Sequence, residues 1–496
     1  MPELIVRKWD LPTYYMIFYE YGLYKARRGD NAEVQFKDPD KAVVFQNAIN
    51  VLEAAGGGTI YSKVEVPYDS ITYSEKIFII EDYQGSIGSP FQFPYSCVVH
   101  KPDPDVEYYE AYKNIGRKYT CIKRYDLATP VVQQAANVLT DGGAISLKAG
   151  VYDFTDTVSL PAKVFVEGEG ADATRIKAAA DNVVLFKPQG RYWGIRRVYL
   201  DGQKSVYTGT GAIQGKPGDS EDGWIEDCVI KYFGSHAVYL QALRQHVYRC
   251  DIAEGDGDGI RMNYAGDSFI VGNLISSGLN GITLDFTGTS VIMANFIHDI
   301  GLDAINGYNG PSRNSIIVNR FWVIGRMAIW IRNAGGIYIG NGNSIIGNEF
   351  MDVDHDLNGV EAIRLQDVEE TLVALNQFRG TNPVADVQEW GTANNNVIVN
   401  NKIVNGIVKL GANTVVRDNP GYATENSGSA TIPNGSSSVT VNHGLAGTPT
   451  VVWIEVTHSE LADYTIINKT STQFTVQLPS NVTADRTFTW YAIYVP

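Results

Sequence analysis

The residues with the most chemical potential in this chain recur at a regular step. Asp258 and Asp303 hold the same position in alternate copies of a short repeat. With stacked strands ~4.8 Å apart, two copies separate them by about 9 to 10 Å. Near that separation one carboxyl can protonate a glycosidic oxygen while a carboxylate opposite activates water. Asp256 and Asp285 lie close enough to bear on the pair's protonation. The same column reads His236, Asp258, Asn280, Asp303, Met327, Glu361, which adds Glu361 as a candidate acid. His298 shares the turn His298-Asp299-Ile300-Gly301-Leu302-Asp303 and is a candidate general acid or orienter. The competing reading is that each Asp beside a Gly caps backbone amides in a turn.

Two neighbouring columns carry binding chemistry. One reads Tyr239, Arg261, Thr283, Asn306, Trp330, Arg364, and the other Gln241, Asn263, Asp285, Tyr308, Arg332, Gln366. Aromatic faces stack on the apolar faces of sugar rings, while amides and guanidinium groups bond hydroxyls or acids. Tyr239, Arg261, Asn263, Asn306, Tyr308, Trp330, Arg332 and Arg364 are therefore the candidate substrate-binding residues, against the alternative of a solvated β face. A lyase or epimerase would instead place a base beside a neutralised uronate, a task for Arg261, Arg332 or Arg364 with Tyr239 or Tyr308. Calcium at the Asp256 and Asp258 turn is a candidate whose spacing matches no established calcium loop. No other cofactor is expected.

These columns exist only if the repeat is structural. Cys228, Cys250, Asn273, Asn295, Asn319, Asn348, Asn376 and Asn401 each sit in the middle of a short apolar run, at steps of 22, 23, 22, 24, 29, 28 and 25 residues. That step is too short for a repeat containing a helix and several strands, and it is the rung length of a parallel β-solenoid. Asn stacked on Asn at a bend can satisfy amides and backbone that the corner would otherwise bury unpaired. A second strand follows in each rung, with Val238, Ile260, Ile282, Ile305, Ile329 and Ile363 inward and the next residue of each outward. Upstream, a unit is duplicated: the helical pattern from Asp40 to Leu52 followed by Gly56-Gly57-Gly58 returns from Thr129 to Leu139 followed by Gly142-Gly143. Thr129 is the expected N-cap, with Pro130 at the first helical position.

Composition narrows the function classes. The 496 residues have 44% hydrophobic and 19% charged side chains and no long apolar run, so membrane insertion and bulk disorder are excluded. Forty Lys and Arg against 55 Asp and Glu leave a net charge of -15, which argues against a nucleic-acid partner. The four cysteines show no zinc spacing and read as free buried thiols. The start, Met1 to Arg7, lacks the pattern of a Sec signal peptide.

The helix, Gly142-Gly143-Ala144-Ile145-Ser146-Leu147-Lys148-Ala149-Gly150-Val151-Tyr152, Val164-Phe165-Val166-Glu167-Gly168-Glu169-Gly170 and the Asn-bearing rungs resemble the pectate-lyase-type right-handed parallel β-helix superfamily, found in many phage tailspikes. The short alternating strands after residue 438 resemble the β-sandwich modules of phage tail fibres, with His443 a turn residue. Gly421 to Ser438 reads as a linker. The expected fold class is all-β: residues 1–124 form an N-terminal cap or attachment region, 125–420 a right-handed parallel β-helix entered by a helical cap, and 427–496 a small C-terminal β-sandwich. The resemblance implies a polysaccharide partner, a homotrimer and an extracellular or virion-associated location. It implies a glycoside hydrolase acting through paired Asp, with a polysaccharide lyase, an epimerase or a non-catalytic receptor-binding spike as alternatives. The Gly255-Asp256-Gly257-Asp258-Gly259 segment is similar to the Asp-rich turn of polygalacturonases, without their adjacent Asp pair, Gly-His-Gly or Arg-Ile-Lys.

Overall fold

The computed structural model describes residues 14–20, 23–28, 34–54, 58–62, 77–81, 96–100, 109–115, 118–125, 127–333 and 340–496. Three parallel sheets wind about one core between residues 143 and 417. The first sheet has ten strands from Gly150–Phe154 to Gln377–Phe378. The second has eleven, from Val158–Leu160 to Ile407–Val408, and the third has twelve, from Gly143–Leu147 to Val415–Arg417, extended at its N-terminal end by strand Ser96–His100 and an antiparallel pair, Tyr109–Ile115 and Lys118–Tyr125. Each rung runs third sheet, first sheet, second sheet, and alternation sends one aliphatic side chain per strand inward. In the second sheet Val238, Ile260, Ile282, Ile305, Ile329, Ile363, Val387 and Ile407 align in register, each buried. Phe321, Phe350 and Phe378 stack likewise under the first sheet.

The corner between third and first sheets carries the Asn row. Asn319 Nδ2 donates to Asn348 Oδ1 (3.1 Å) and to the Ile292 carbonyl (2.8 Å), and its Oδ1 accepts from the backbone and side chain of Asn295 (both 3.0 Å). This pattern repeats along the row from Asn273 and runs on to Asn419, one member beyond the eight expected. Cys228 and Cys250 occupy the same row as free buried thiols, and Asn273 Oδ1 accepts from the Cys250 amide (2.9 Å). To bring each Asn inward, the residue before it takes a left-handed conformation: Gly272, Ala294, Val318, Gly347 and Leu375 all have φ between 54° and 68°. Val318 is exposed and β-branched there, a conformation that costs about 1 kcal/mol or more.

Helix Ala128–Asn137 packs against the strands at the N-terminal end and buries Val131, Val132, Ala135 and Ala136 in the solenoid core. Thr129 is not its N-cap. Leu127 holds that position without a side-chain bond, and Thr129 is buried inside the helix, where its hydroxyl accepts from the Thr155 amide (2.9 Å). The duplication upstream has a structural counterpart. Helix Lys41–Ala54, capped by Asp40 Oδ1 on the Ala42 amide (2.9 Å), precedes parallel strands pairing Gly58 with Ile77, as Gly143 pairs with Val164. Of the Tyr-Asp pairs that the two copies share in sequence, Tyr152-Asp153 lies in strand Gly150–Phe154, and Tyr68-Asp69 lies outside the described residues.

After the last rung, two three-stranded antiparallel sheets enclose a separate core of Ile432, Phe474, Phe488 and Trp490. Part of the stretch that reads as a linker is a strand: Glu425–Ile432 pairs along its whole length with Arg486–Ile493. Its many Ser, Gly and Asn suit an edge strand with mostly exposed side chains, so composition alone gave it the look of a loop. His443 is fully buried just after strand Ser438–Asn442, its Nδ1 accepting from the Leu445 amide (3.0 Å).

Candidate functional site

The three outer faces differ in chemistry. The first sheet's is crossed by ion pairs such as Lys231 with Asp251 (2.7 Å). The third sheet's is mostly apolar from Phe269 to Val399. The second sheet's outer face gathers aromatics, guanidinium groups and amides in two adjacent columns. Its strands place Tyr239, Arg261, Thr283, Asn306, Trp330 and Arg364 in one column, with Asn263, Asp285, Tyr308, Arg332 and Gln366 two residues on.

This face holds two clusters. The first centres on His236, whose side chain is 30% exposed. Its Nδ1 lies 3.2 Å from the Asp258 amide and 3.5 Å from Asp258 Oδ2, and its Nε2 lies 3.4 Å from Arg261 Nη1. Nδ1 finds a partner in either tautomer: it accepts from the amide or donates to the carboxylate. Because a guanidinium only donates, Arg261 favours the tautomer with Nε2 unprotonated and basic and with Nδ1–H turned to the Asp258 carboxylate. Burial pushes the His236 imidazole below its ordinary value; Asp258 opposes this and Arg261 reinforces it. Arg261 also reaches toward Asp258 (3.9 Å) and Asp285 (3.6 Å). Tyr239 lies 5.5 Å from the His236 ring, and its hydroxyl accepts from Asn263 Nδ2 (3.2 Å).

The second cluster is built on Trp330. Arg332 stacks on its ring at 3.8 Å and on Tyr308 at 4.4 Å, and Arg326 and Arg364 approach Trp330 at 5.1 and 5.4 Å. The indole Nε1 donates to Gln366 Oε1 (3.2 Å). Between the clusters the smaller Thr283 and Asn306 leave the face lower.

Several residues expected at a reaction centre lie elsewhere. Asp303 is fully buried at the corner. Arg326 holds both of its oxygens (2.9 and 2.6 Å), and the Met327 amide donates to it as well, so it does not pair with Asp258 across a groove. Asp258 and Asp303 are linked instead through Asn280, whose Nδ2 donates to Asp258 (2.8 Å) and whose Oδ1 accepts from the Asp303 amide (3.2 Å). Asp256 is exposed on a turn and bonds Lys204 (2.7 Å). His298 projects from the first sheet, paired with Asp299 (2.7 Å) beside Phe296, away from the second sheet's face. Glu361 is buried and bonds Arg364, which fixes the guanidinium between Trp330 and Trp390. Asp285 does face outward, where Asn309 donates to its Oδ1 (2.8 Å). Among the described residues no group of three or more His, Cys, Asp or Glu could hold a metal ion.

The sequence reading left three residues without a role. His236 stood in the edge column, and its spacing before Tyr239 was the signal. Arg326 comes from the turn of the next rung. Trp390 belongs to strand Val387–Trp390, whose copy is hard to see because Asp386 replaces the Gly or Ala found in the other rungs.

Residues 218–352 match the family described as right handed beta helix region. Among solved structures, the A-module of mannuronan C-5 epimerase AlgE4 from Azotobacter vinelandii is similar at 15% identity and a TM-score of 0.50, covering 58% of this chain and 95% of that one. The Dettilon tailspike protein is similar at 14% identity and a TM-score of 0.45, covering 74% and 91%. A DFA-IIIase from Arthrobacter chlorophenolicus A6 is similar at 14% identity and a TM-score of 0.47, covering 59% and 95%. No curated protein matches. At such identities the likeness is one of fold, and this chain is a right-handed parallel β-helix.

Proposed function

We propose that the chain binds a polysaccharide along the outer face of its second sheet and cleaves it by proton abstraction from a uronate residue at His236. One observation carries the binding half. Seven buried side-chain polar atoms of the described residues lack a hydrogen-bond partner, and five of them, on Arg261, Asn263, Thr283, Asn306 and Arg332, belong to this face. Native interiors leave few such atoms, and a cluster of them fits a surface completed by a hydroxyl-rich ligand.

The chemistry follows from the His236 cluster. A neutral imidazole oriented by Asp258 takes the C5 proton on Nε2, and Arg261 draws off the charge that develops on the uronate carboxylate. The electrons of the broken C–H bond form a C4–C5 double bond and expel the C4 oxygen, which takes a proton from the Tyr239 hydroxyl or water. A second reading, hydrolysis, rests on Asp258 and Asp285 facing one guanidinium from adjacent rungs. It is the weaker one, because a proton on either carboxyl forfeits its attraction to Arg261. A homotrimer, an extracellular or virion-associated location and an attachment role for residues 1–124 belong to the same proposal, supported by the sequence resemblance.

Incubation with uronate-containing and neutral polysaccharides tests this reading. Elimination yields one reducing end and one ultraviolet-absorbing unsaturated end per bond cut. Reducing ends without that absorbance identify hydrolysis instead, and binding without product identifies an adhesive spike.

A further inference from the structure

Four guanidinium groups gather on or beside the second sheet's outer face, and they are not equivalent. Arg326 is paired with Asp303, Arg364 with Glu361, and Arg261 lies between Asp258 and Asp285. Arg332 has no carboxylate within ion-pair distance among the described residues. Its guanidinium is held instead between the rings of Trp330 and Tyr308, with Nε buried and unpartnered. One rung away the Asn306 Oδ1, and two rungs away the Thr283 Oγ1 on a residue only 6% exposed, are also buried without partners.

Two aromatic rings fix this guanidinium but do not neutralise it. Burial of a cation without a counterion is costly, and the same burial holds the Arg332 side chain below its ordinary value. A neutral sugar could satisfy the free N–H donors but not the charge. A carboxylate or sulfate satisfies both, and a guanidinium fork suits either oxyanion.

We infer that Arg332, stacked between Trp330 and Tyr308, is a subsite for an acidic substituent of the glycan, distinct from the Arg261 site. Arg261 and Arg332 lie three rungs apart, about 14 Å at ~4.8 Å per rung, a span of several sugars. The ligand class is thus a glycan bearing acidic groups on more than one sugar. This rests on the reading of the second sheet as a polysaccharide-binding face.

The test is a titration of the full chain, carrying His236→Ala to prevent turnover, with a uronate oligosaccharide, its carboxyl-reduced counterpart and a sulfated neutral oligosaccharide. Arg332→Gln is expected to weaken binding of the acidic ligand by about tenfold or more, the worth of one charge-assisted contact, and that of the reduced ligand by several-fold less. Arg332→Lys should restore part of the loss. Preference for the sulfated ligand, still lost in Arg332→Gln, supports the subsite and names its anion as sulfate. Equal losses for acidic and reduced ligands, or no loss, overturn the inference. Product assays of otherwise wild-type protein report separately on the cleavage reading, so a selective binding loss with no product at all leaves the subsite standing while removing the lyase.

Discussion

Two polar regions run along the solenoid, the Asn row at one corner and the outer face of the second sheet, and they treat hydrogen bonds in opposite ways. Every amide from Asn273 to Asn419 is buried and bonded, rung upon rung. On the second sheet, buried atoms of Thr283, Asn306 and Arg332 point nowhere within the chain. A stacked polar row that is fully satisfied is architecture, since each member completes its neighbours. A stacked polar face left incomplete stores the cost of desolvation until a ligand meets it. The difference separates the residues that hold this molecule together from those available to act on something else.

The largest expected effect falls on the incomplete face. His236→Ala should lower turnover of a uronate polymer by about 10²-fold or more, the usual worth of a general base, with the thermal midpoint little changed. Because burial lowers the His236 pKa, the rate should persist as pH falls through the ordinary imidazole value and drop only below it, where the base becomes protonated. A rate already lost near the ordinary imidazole value would assign the base to another group.

The sharpest contrast compares two Asn→Ala substitutions. Asn319→Ala strands amides and carbonyls of Asn295, Asn348 and Ile292, and should cost about 3 kcal/mol or more by chemical denaturation. Asn306→Ala removes an unpartnered oxygen, and should cost about 1 kcal/mol or less while weakening glycan binding. Equal costs would erase the distinction between the two regions. Asp303→Asn comes next: it leaves the Arg326 charge without its carboxylate and should destabilise the fold by about 2 kcal/mol, whatever it does to activity. The smallest effect is favourable. Val318→Gly, at an exposed left-handed position where Gly272 and Gly347 already stand in other rungs, should stabilise the solenoid by about 1 kcal/mol.

The satisfied region was the legible one. A buried Asn must repeat at the rung length to find its partner, so the eight-member row could be read from spacing alone. Asn419 escaped because only 18 residues separate it from Asn401. A second row at the entry to the third sheet, Ser268, Ser290, Asn314 and Asn343, was hidden because Ser fills it in some rungs and Asn in others, each accepting from an amide of the preceding rung. The outer face of the second sheet was only half legible. Alternation gave its columns, but spacing could not reveal that Arg326, from another rung's turn, reaches back to occupy Asp303. Nor could it show that the carboxylate of Asp258 would be turned toward His236. Which carboxylate is free depends on side chains that meet only after the chain has wound through a full turn.

The most direct measurement is a crystal structure of the His236→Ala protein soaked with an acidic oligosaccharide. The expected result is a sugar chain lying along the second sheet's outer face, with hydroxyls on Thr283 Oγ1 and Asn306 Oδ1 and an acidic group on Arg332. A ligand seated on the first or third sheet, or in the C-terminal sheets, with those atoms still unpartnered, would contradict it.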